Sequence, residues 1–178
     1  SRRRHTRSFH VTGVQTCALP ICDSPFAILT GRGEHVRPLP IPPAIRDVCV
    51  VLLKPPIGIS AGAVYRAYPP TRWGGDTDRT SPWVRAAQSA AHPNALPSPF
   101  NDLEAIALDV APEVAAARDA LIAAGAPHAV MSGSGSTFIA CLDAPLAGVV
   151  ADRLRANPAF GGWYVGVARL GTLPLRPE

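Results

Sequence analysis

Runs of apolar residues divide the chain into predicted strands and helices. Residues 48–53, VCVVLL, form a continuous run rich in β-branched residues and bounded by prolines, which predicts a strand buried on both faces or nearly so. Three further runs predict strands, at residues 128–132, 137–142 and 163–170. Helical patterns occupy residues 60–68, 82–91, 101–125 (divided at Pro112) and 144–156.

Capping residues mark three of the predicted helix starts. Ser60 and Ser81 stand at N-cap positions, and Asn101 is expected to cap a third helix. Glu104 lies three residues after Asn101, where it could accept a hydrogen bond from the cap's own N–H. The element order is then strand, helices, strand, strand, helix, strand. This order predicts an α+β, ferredoxin-like split β-α-β fold, with helices packed on an antiparallel sheet.

Charge and hydropathy exclude two classes of partner. Of the 178 residues, 47% are hydrophobic and 17% are charged, which suits a single folded domain of ordinary size. Four arginines among the first seven residues account for the net charge of +4, so the remaining chain is neutral. A nucleic-acid-binding protein would carry its positive excess on a folded face. No apolar run approaches the roughly 18 residues of a membrane span, so no membrane partner is expected either.

The first 22 residues differ in composition from the rest. Residues 11–21, VTGVQTCALPI, resemble, codon for codon, the translation of a widely used sequencing adaptor. A basic targeting segment is the alternative interpretation, because such segments are rich in Arg and Ser and poor in acids. We expect residues 1–22 to be a disordered sequencing artefact, and the natural protein to continue upstream of Asp23.

Cysteines and histidines predict neither disulfides nor a metal site. Cys49 and Cys141 lie inside apolar runs, where cysteine usually acts as a small buried hydrophobe. There is no C-x-x-C pair, and His35, His92 and His128 are widely scattered. A reduced, cytoplasmic protein is the simplest interpretation.

Residues 131–137, MSGSGST, are the segment that points to chemistry. Glycines allow several backbone N–H groups to converge on a phosphate, and serines add hydroxyl donors. The segment matches neither the P-loop nor the dinucleotide-binding fingerprint, since no Gly-Lys-Ser/Thr follows and the next residues are strand-like. A Gly/Ser hairpin turn without a ligand is the structural alternative.

Four segments together resemble the C-terminal domain of the GHMP kinases. In chain order they are GRGEHVRPLP at 31–40, VVLLKPPIGISAGAVY at 50–65, NDLEAIALDVAPEV at 101–114 and MSGSGSTFIAC at 131–141. The last is similar to the family's third motif, the glycine loop beside the phosphates. Within the superfamily the chain looks most like the members that act on a cytidine-diphosphate-linked methylerythritol in the non-mevalonate route to isoprenoids.

The resemblance implies domain boundaries and an ATP-dependent phosphoryl transfer. Residues 23–47 would be the end of an N-terminal domain and its connection, 48–172 the GHMP kinase C-terminal domain, and 173–178 a tail. ATP and Mg²⁺ would be bound mainly by the missing N-terminal domain of the same polypeptide, which also holds the family's catalytic Lys and Asp. Lys54, the sole lysine, lies in the wrong segment, and Asp23 is interpreted as a surface turn residue. We therefore expect no catalytic residue and no metal ligand in this fragment, and no activity from it alone.

The implied site residues lie in two segments. Tyr65 falls where the family places an aromatic ring that stacks on the cytosine of the substrate, although it could instead be a helix residue half in the core. The implied phosphate loop is Ser132, Gly133, Ser134, Gly135 and Ser136. One departure is Ser60-Ala61, where the family usually has Ser/Pro-Thr. Two alternatives stay open: another GHMP kinase of homoserine or mevalonate type, and a stand-alone ferredoxin-like ligand-binding module.

Overall fold

The computed structural model of this protein describes residues 26–30, 35–69 and 80–170. The chain divides into two compact units, Ser1–Ile41 and Pro42–Glu178. Several expectations lie outside the described residues: the artefact at 1–22, Asp23, the turn at 31–34 and the tail at 173–178.

The described part of the first unit is a pair of antiparallel strands. Strand β1 (Ala27–Thr30) pairs with β2 (His35–Pro38), with Ile28 opposite Arg37. The N–H of Leu39 extends the pairing by donating to the carbonyl of Phe26 at 2.9 Å. The sequence pattern did not predict these strands, because neither segment shows a sustained alternation of apolar and polar residues.

The second unit has the predicted ferredoxin-like architecture. Its sheet comprises β3 (Cys49–Lys54), β4 (Val130–Met131), β5 (Phe138–Leu142) and β6 (Tyr164–Arg169). The strands lie in the order β4-β5-β3-β6, and every neighbouring pair is antiparallel. Counted from β3 as the first strand, this is the 4-1-3-2 order that two split β-α-β units produce. The predicted fold class is therefore confirmed.

Six helices are described in this unit, three of them matching the predicted ones closely. In chain order they are α1 (Pro43–Arg46), α2 (Ala61–Ala67), α3 (Thr80–Ser89), α4 (Glu104–Val110), α5 (Ala115–Ala123) and α6 (Ala144–Ala156). Short 3₁₀ turns occur at Pro93–Ala95, Pro112–Val114 and Pro158–Phe160. None of the described helices is long and apolar enough to cross a membrane.

The core lies between the sheet and helices α5 and α6. Cys49, Val51 and Leu53 of β3 stand opposite Leu142, Ala140 and Phe138 of β5, and all six side chains are buried. The helices add further fully buried residues, which are Ala117 and Leu121 from α5 and Ala147, Val150, Ala151 and Leu154 from α6. Val64 of α2 and Ala107 of α4 join the same core. These contacts fix both ends of β5, the strand that follows the glycine segment.

Helix termini follow the sequence in part. The Ser60 hydroxyl accepts a hydrogen bond from the N–H of Ala63 at 3.3 Å, as an N-cap should. Asp143 caps α6 in the same way, accepting from the N–H of Leu146 at 2.8 Å. The prediction that Ser81 caps a helix was wrong, since α3 already begins at Thr80. A Pro in the first turn tolerates either start, so the sequence did not fix the boundary.

Gly125 ends α5 through a left-handed backbone. Its φ is +109°, and the N–H of Ala126 returns to the carbonyl of Leu121 at 3.0 Å. Arg153 of α6 donates to the carbonyl of Ala124 at 2.9 Å, which satisfies another free carbonyl at this helix end. Both interactions bring the chain back toward β4, so they place the start of the glycine loop.

Candidate functional site

The glycine loop joins strands β4 and β5 at one end of the sheet. Two backbone bonds shape it: the N–H of Ser132 donates to the carbonyl of Thr137 at 2.8 Å, and that of Gly135 donates to Ser132 at 3.1 Å. Gly133 has a φ of +59° and Gly135 a φ of +89°, values that residues with a side chain rarely adopt. Glycine is therefore required at both positions by backbone conformation.

Gly135 is also required by packing. A Cβ atom on Gly135 would lie 2.8 Å from Cδ1 of Ile59 and 2.8 Å from Sδ of Met131, both inside van der Waals contact. A Cβ on Gly133 would have no atom within 4 Å. The loop thus has one glycine pressed against the domain and one facing open space.

The serines of the loop have different surroundings. Ser132 is exposed and Ser134 is half-buried, whereas Ser136 is only 4% exposed. The hydroxyl of Ser136 donates to the carbonyl of Ile57 at 2.6 Å, which ties the loop to the segment before α2. Because this hydroxyl already donates to an acceptor within the protein, the Ser136 side chain holds the loop in place and its O–H is not available to a ligand.

Asn101 fastens the loop from the other side. Its amide nitrogen Nδ2 donates to the carbonyl of Met131 at 2.8 Å and to that of Gly133 at 2.6 Å. Its Oδ1 accepts from the N–H of Leu103 at 2.9 Å. The expectation that Asn101 is simply the helix N-cap was wrong: α4 begins at Glu104, and Leu103 occupies the cap position. A two-residue turn separates Asn101 from the helix, which turns its amide toward the loop.

Glu104 also contacts the loop strand instead of the predicted cap. Its Oε2 accepts from the N–H of Met131 at 2.9 Å, and no bond to the N–H of Asn101 is present among the described contacts. The guanidinium of Arg118 lies 3.9 Å from the other carboxylate oxygen. The pattern Asn-x-x-Glu resembles a capping box, so local sequence rules assigned both side chains to the helix. Their true partners lie 27 to 32 residues away along the chain.

Tyr65 lies on α2 and its side chain is 43% exposed. The preceding residue, Val64, is completely buried, so the helix is anchored by one residue and presents the next to solvent. Ile57 and Ile59, which the loop contacts through Ser136 and Gly135, lie in the segment that leads into this helix. The loop and the helix that carries Tyr65 are therefore connected through one short stretch of chain.

Two titratable groups near the sheet are held uncharged at neutral pH. Burial lowers the pKa of His128, which precedes β4 and whose Nε2 has no hydrogen-bond partner among the described residues. Burial raises the pKa of the Cys141 thiol on β5. Cys49 and Cys141 are both free cysteines. Neither group supplies charge for chemistry on a phosphate.

The described residues do not offer Mg²⁺ a ligand set. In the ranges 26–30, 35–69 and 80–170, no group of three His, Cys, Asp or Glu side chains is close enough to hold a metal ion. Magnesium at phosphate sites is usually held by one or two carboxylates together with water and substrate phosphates, so a preformed protein cluster is not what distinguishes such a site.

Known proteins resemble this chain over the same region. The 4-diphosphocytidyl-2-C-methyl-D-erythritol kinase of Moorella thermoacetica is 35% identical over 144 residues, which is 75% of this chain and 49% of the kinase. The protein of the same name from Cereibacter sphaeroides is 36% identical over 162 residues, or 85% of this chain and 53% of its own length. The chain thus spans about half the length of the curated relatives it matches.

Solved structures and a family model agree with these matches. A crystal structure of 4-(cytidine 5'-diphospho)-2C-methyl-D-erythritol kinase has a TM-score of 0.57 and 31% identity, covering 79% of this chain and 48% of that one. Homoserine kinase from Cytophaga hutchinsonii has a TM-score of 0.51 at 13% identity over 80% of this chain and 46% of its own, and shows the shared fold alone. The model of the GHMP kinases C terminal family matches residues 78–159, which include Asn101, Glu104 and the whole glycine loop. The chain therefore belongs, through this C-terminal domain, to the GHMP kinases.

Proposed function

We propose that this chain is the C-terminal part of an ATP-dependent kinase that phosphorylates the free hydroxyl of 4-diphosphocytidyl-2-C-methyl-D-erythritol. This reaction belongs to the non-mevalonate, methylerythritol phosphate, pathway to isoprenoids. Relatives from separate bacteria, 35% and 36% identical across the domain, carry the name of this kinase. A small-molecule substrate, with no nucleic acid or membrane partner, also agrees with a chain whose charge excess is confined to its first seven residues.

The observation that carries the proposal is the geometry of the glycine loop. Gly133 has a positive φ and faces open space, and no acceptor among the described residues engages the N–H groups of Gly133 and Ser134. Consecutive N–H groups around a left-handed glycine form a concave site that suits phosphate oxygens. Transfer of a phosphoryl group depends mainly on positioning and on neutralising charge, which such a loop supports. In this role Ser132 and Ser134 would add hydroxyl donors.

The remaining parts of the active site belong to the N-terminal part of the polypeptide. We assign ATP and Mg²⁺ mainly to that part, together with a catalytic Lys and Asp. Residues 23–47 would be the end of the N-terminal domain and its connection, and residues 48–172 would form the C-terminal domain. A reduced, cytoplasmic location fits the two free cysteines of the domain. On this division the glycine loop would contribute phosphate contacts, and the catalytic groups would come from the N-terminal part.

Tyr65 is the proposed contact for the cytosine ring. Its side chain is 43% exposed on a helix that Val64 anchors in the core, so the ring is accessible and the helix that carries it is held in place. Stacking of an aromatic side chain on a nucleobase contributes about 1–3 kcal/mol. A cytidine nucleotide placed on this ring would account for a preference for the cytidine-linked substrate over homoserine or mevalonate.

A phosphoryl-transfer assay on the product of the intact gene tests the proposal. The enzyme is supplied with ATP and Mg²⁺ and, in separate reactions, with the cytidine-linked methylerythritol, homoserine or mevalonate as acceptor. Formation of ADP only with the first acceptor is the expected result. Turnover of homoserine or mevalonate instead would replace the proposed substrate, and no turnover with any acceptor would refute the kinase assignment.

A further inference from the structure

Three side chains connect the glycine loop to segments outside its own hairpin. Asn101 bonds to the carbonyls of Met131 and Gly133, Glu104 accepts from the N–H of Met131, and Ser136 donates to Ile57. Asn101 and Glu104 form their hydrogen bonds on the β4 side of the loop, and Ser136 forms its bond on the β5 side. The middle of the loop, with Gly133 exposed and Ser134 half-buried, lies between these contacts.

We propose that Asn101 is a positioning residue that fixes the direction of the Ser134 N–H at the top of the loop. The carbonyl of Gly133 belongs to the same peptide unit as the N–H of Ser134. Because that unit is planar, holding the carbonyl at 2.6 Å from Nδ2 sets the direction in which the N–H points. The second bond, to Met131, prevents the amide of Asn101 from following the loop if it moves.

The side chain of Asn101 is itself held rigidly. Its Oδ1 accepts from the N–H of Leu103, so the amide plane cannot rotate without losing that bond. Leu103 packs against the hydrophobic core and precedes α4 directly. The Asn101 amide therefore connects the loop to the hydrophobic core. The N–H of Ser134 is already oriented before a ligand binds. Prior orientation reduces the ordering cost of binding.

The consequence of the proposal rests on the proposed function, because an oriented N–H group matters only if the loop receives a phosphate. The tie itself does not rest on it. Loop order is measurable on the chain without any ligand, whereas the effect on catalysis is measurable only in the intact enzyme. The two measurements below therefore fail separately.

The first measurement is amide hydrogen exchange on the whole 178-residue chain. Ser132 and Gly135 serve as reporters, since their N–H groups bond within the loop. Asn101→Asp keeps the Oδ1 acceptor for Leu103 but loses both N–H donors. Asn101→Ser removes the amide without adding charge, leaving one shorter hydroxyl that can still accept from Leu103. We expect both variants to exchange the reporter amides about 10-fold to 100-fold faster, as the loss of two hydrogen bonds implies.

A matched control is available in Asn157. Its Oδ1 accepts from the N–H two residues later, Ala159, at 3.0 Å, just as that of Asn101 does with Leu103. Its amide makes no bond to the loop in the described contacts. Asn157→Asp should leave the reporter amides unchanged. Equal exchange in Asn101→Ser and Asn157→Asp overturns the proposal, and so does acceleration spread evenly over the whole sheet in both Asn101 variants.

The second measurement is steady-state kinetics on the product of the intact gene. A positioning role predicts that Asn101→Ser raises the KM for ATP at least 5-fold, with the KM for the cytidine-linked substrate unchanged within twofold. A purely structural defect would reduce the amount of active enzyme, which lowers kcat and leaves both KM values unchanged. That second pattern overturns the proposal. If the wild type has no activity, the proposed function fails, and hydrogen exchange alone still decides the role of Asn101.

Discussion

Replacing each of three glycines by alanine separates backbone conformation from packing in the loop. Gly135→Ala places a methyl group 2.8 Å from both Ile59 and Met131 and requires a side-chain-bearing residue at a φ of +89°. Gly133→Ala meets only the second requirement, at a φ of +59° with open space around it. Gly148→Ala lies within α6 with no atom within 4 Å of the new methyl group.

The three substitutions should differ in sign and size. A left-handed residue costs about 1–2 kcal/mol, which is the whole expected effect of Gly133→Ala. Forcing a methyl group into a packed site costs a further 1–3 kcal/mol or so, and gives about 2–5 kcal/mol in total for Gly135→Ala. Gly148→Ala should instead stabilise the fold by about 0.5–1 kcal/mol, because alanine loses less backbone entropy in a helix.

Urea denaturation followed by circular dichroism measures these differences on the chain as it stands. One kcal/mol corresponds to about 2–4 °C in Tm for a protein of this size, so thermal melts provide a second readout. The order Gly135→Ala, Gly133→Ala, wild type, Gly148→Ala in rising stability is expected. Equal destabilisation by Gly135→Ala and Gly133→Ala would show that Ile59 and Met131 do not confine the loop, and would refute the packing argument.

Three further predictions concern binding, helix capping and pH. In isothermal titration, Tyr65→Ala should weaken binding of cytidine diphosphate to the intact enzyme by about 5-fold to 100-fold. Tyr65→Phe should change this affinity less than twofold, and so should the control Tyr164→Ala, which alters another exposed tyrosine. Asp143→Ala removes the cap of α6 and should lower the free energy of unfolding by about 1 kcal/mol. Asp152→Ala on the same helix removes an exposed ion pair and should change the free energy of unfolding by less than about 0.5 kcal/mol. Because burial lowers the pKa of His128, the unfolded chain binds a proton more readily than the folded one, and the free energy of unfolding should fall as the pH drops below 6.5. His128→Leu should reduce this dependence of stability on pH. An unchanged pH dependence in the variant would contradict the burial argument.

Much of the fold could be predicted because its signals are local. The apolar run that became β3, the Ser60 cap and the long pattern of α6 each occupy a few consecutive residues. The element order then restricted the topology to few choices, and the ferredoxin-like sheet followed. Strands β1 and β2 were missed, since they are short and do not alternate.

The position of the glycine loop could be predicted from the sequence, but the side chains that hold it in place could not. Two glycines between predicted strands indicated a loop or hairpin turn, and both glycines have a positive φ in the structure. The ties from Asn101, Glu104 and Ser136 could not be inferred, because each joins residues far apart along the chain. At Asn101 and Glu104 the capping-box rule gave the wrong partners, because both side chains form hydrogen bonds to residues of the glycine loop and its strand instead.

The long sequence span of these ties has a consequence for how the domain folds. The bond from Ser136 to Ile57 closes 79 residues, and that from Asn101 to Gly133 closes 32. Contacts of high sequence separation form late, because the entropy of closing each loop must be lost before the contact stabilises it. The glycine loop should therefore be among the last regions to become ordered during folding. A nucleotide that binds it selects the fully folded state, and saturating ligand at 100 times Kd would stabilise the domain by about 2.7 kcal/mol. Substrate supply would then govern how long the folded domain persists as well as how fast it works.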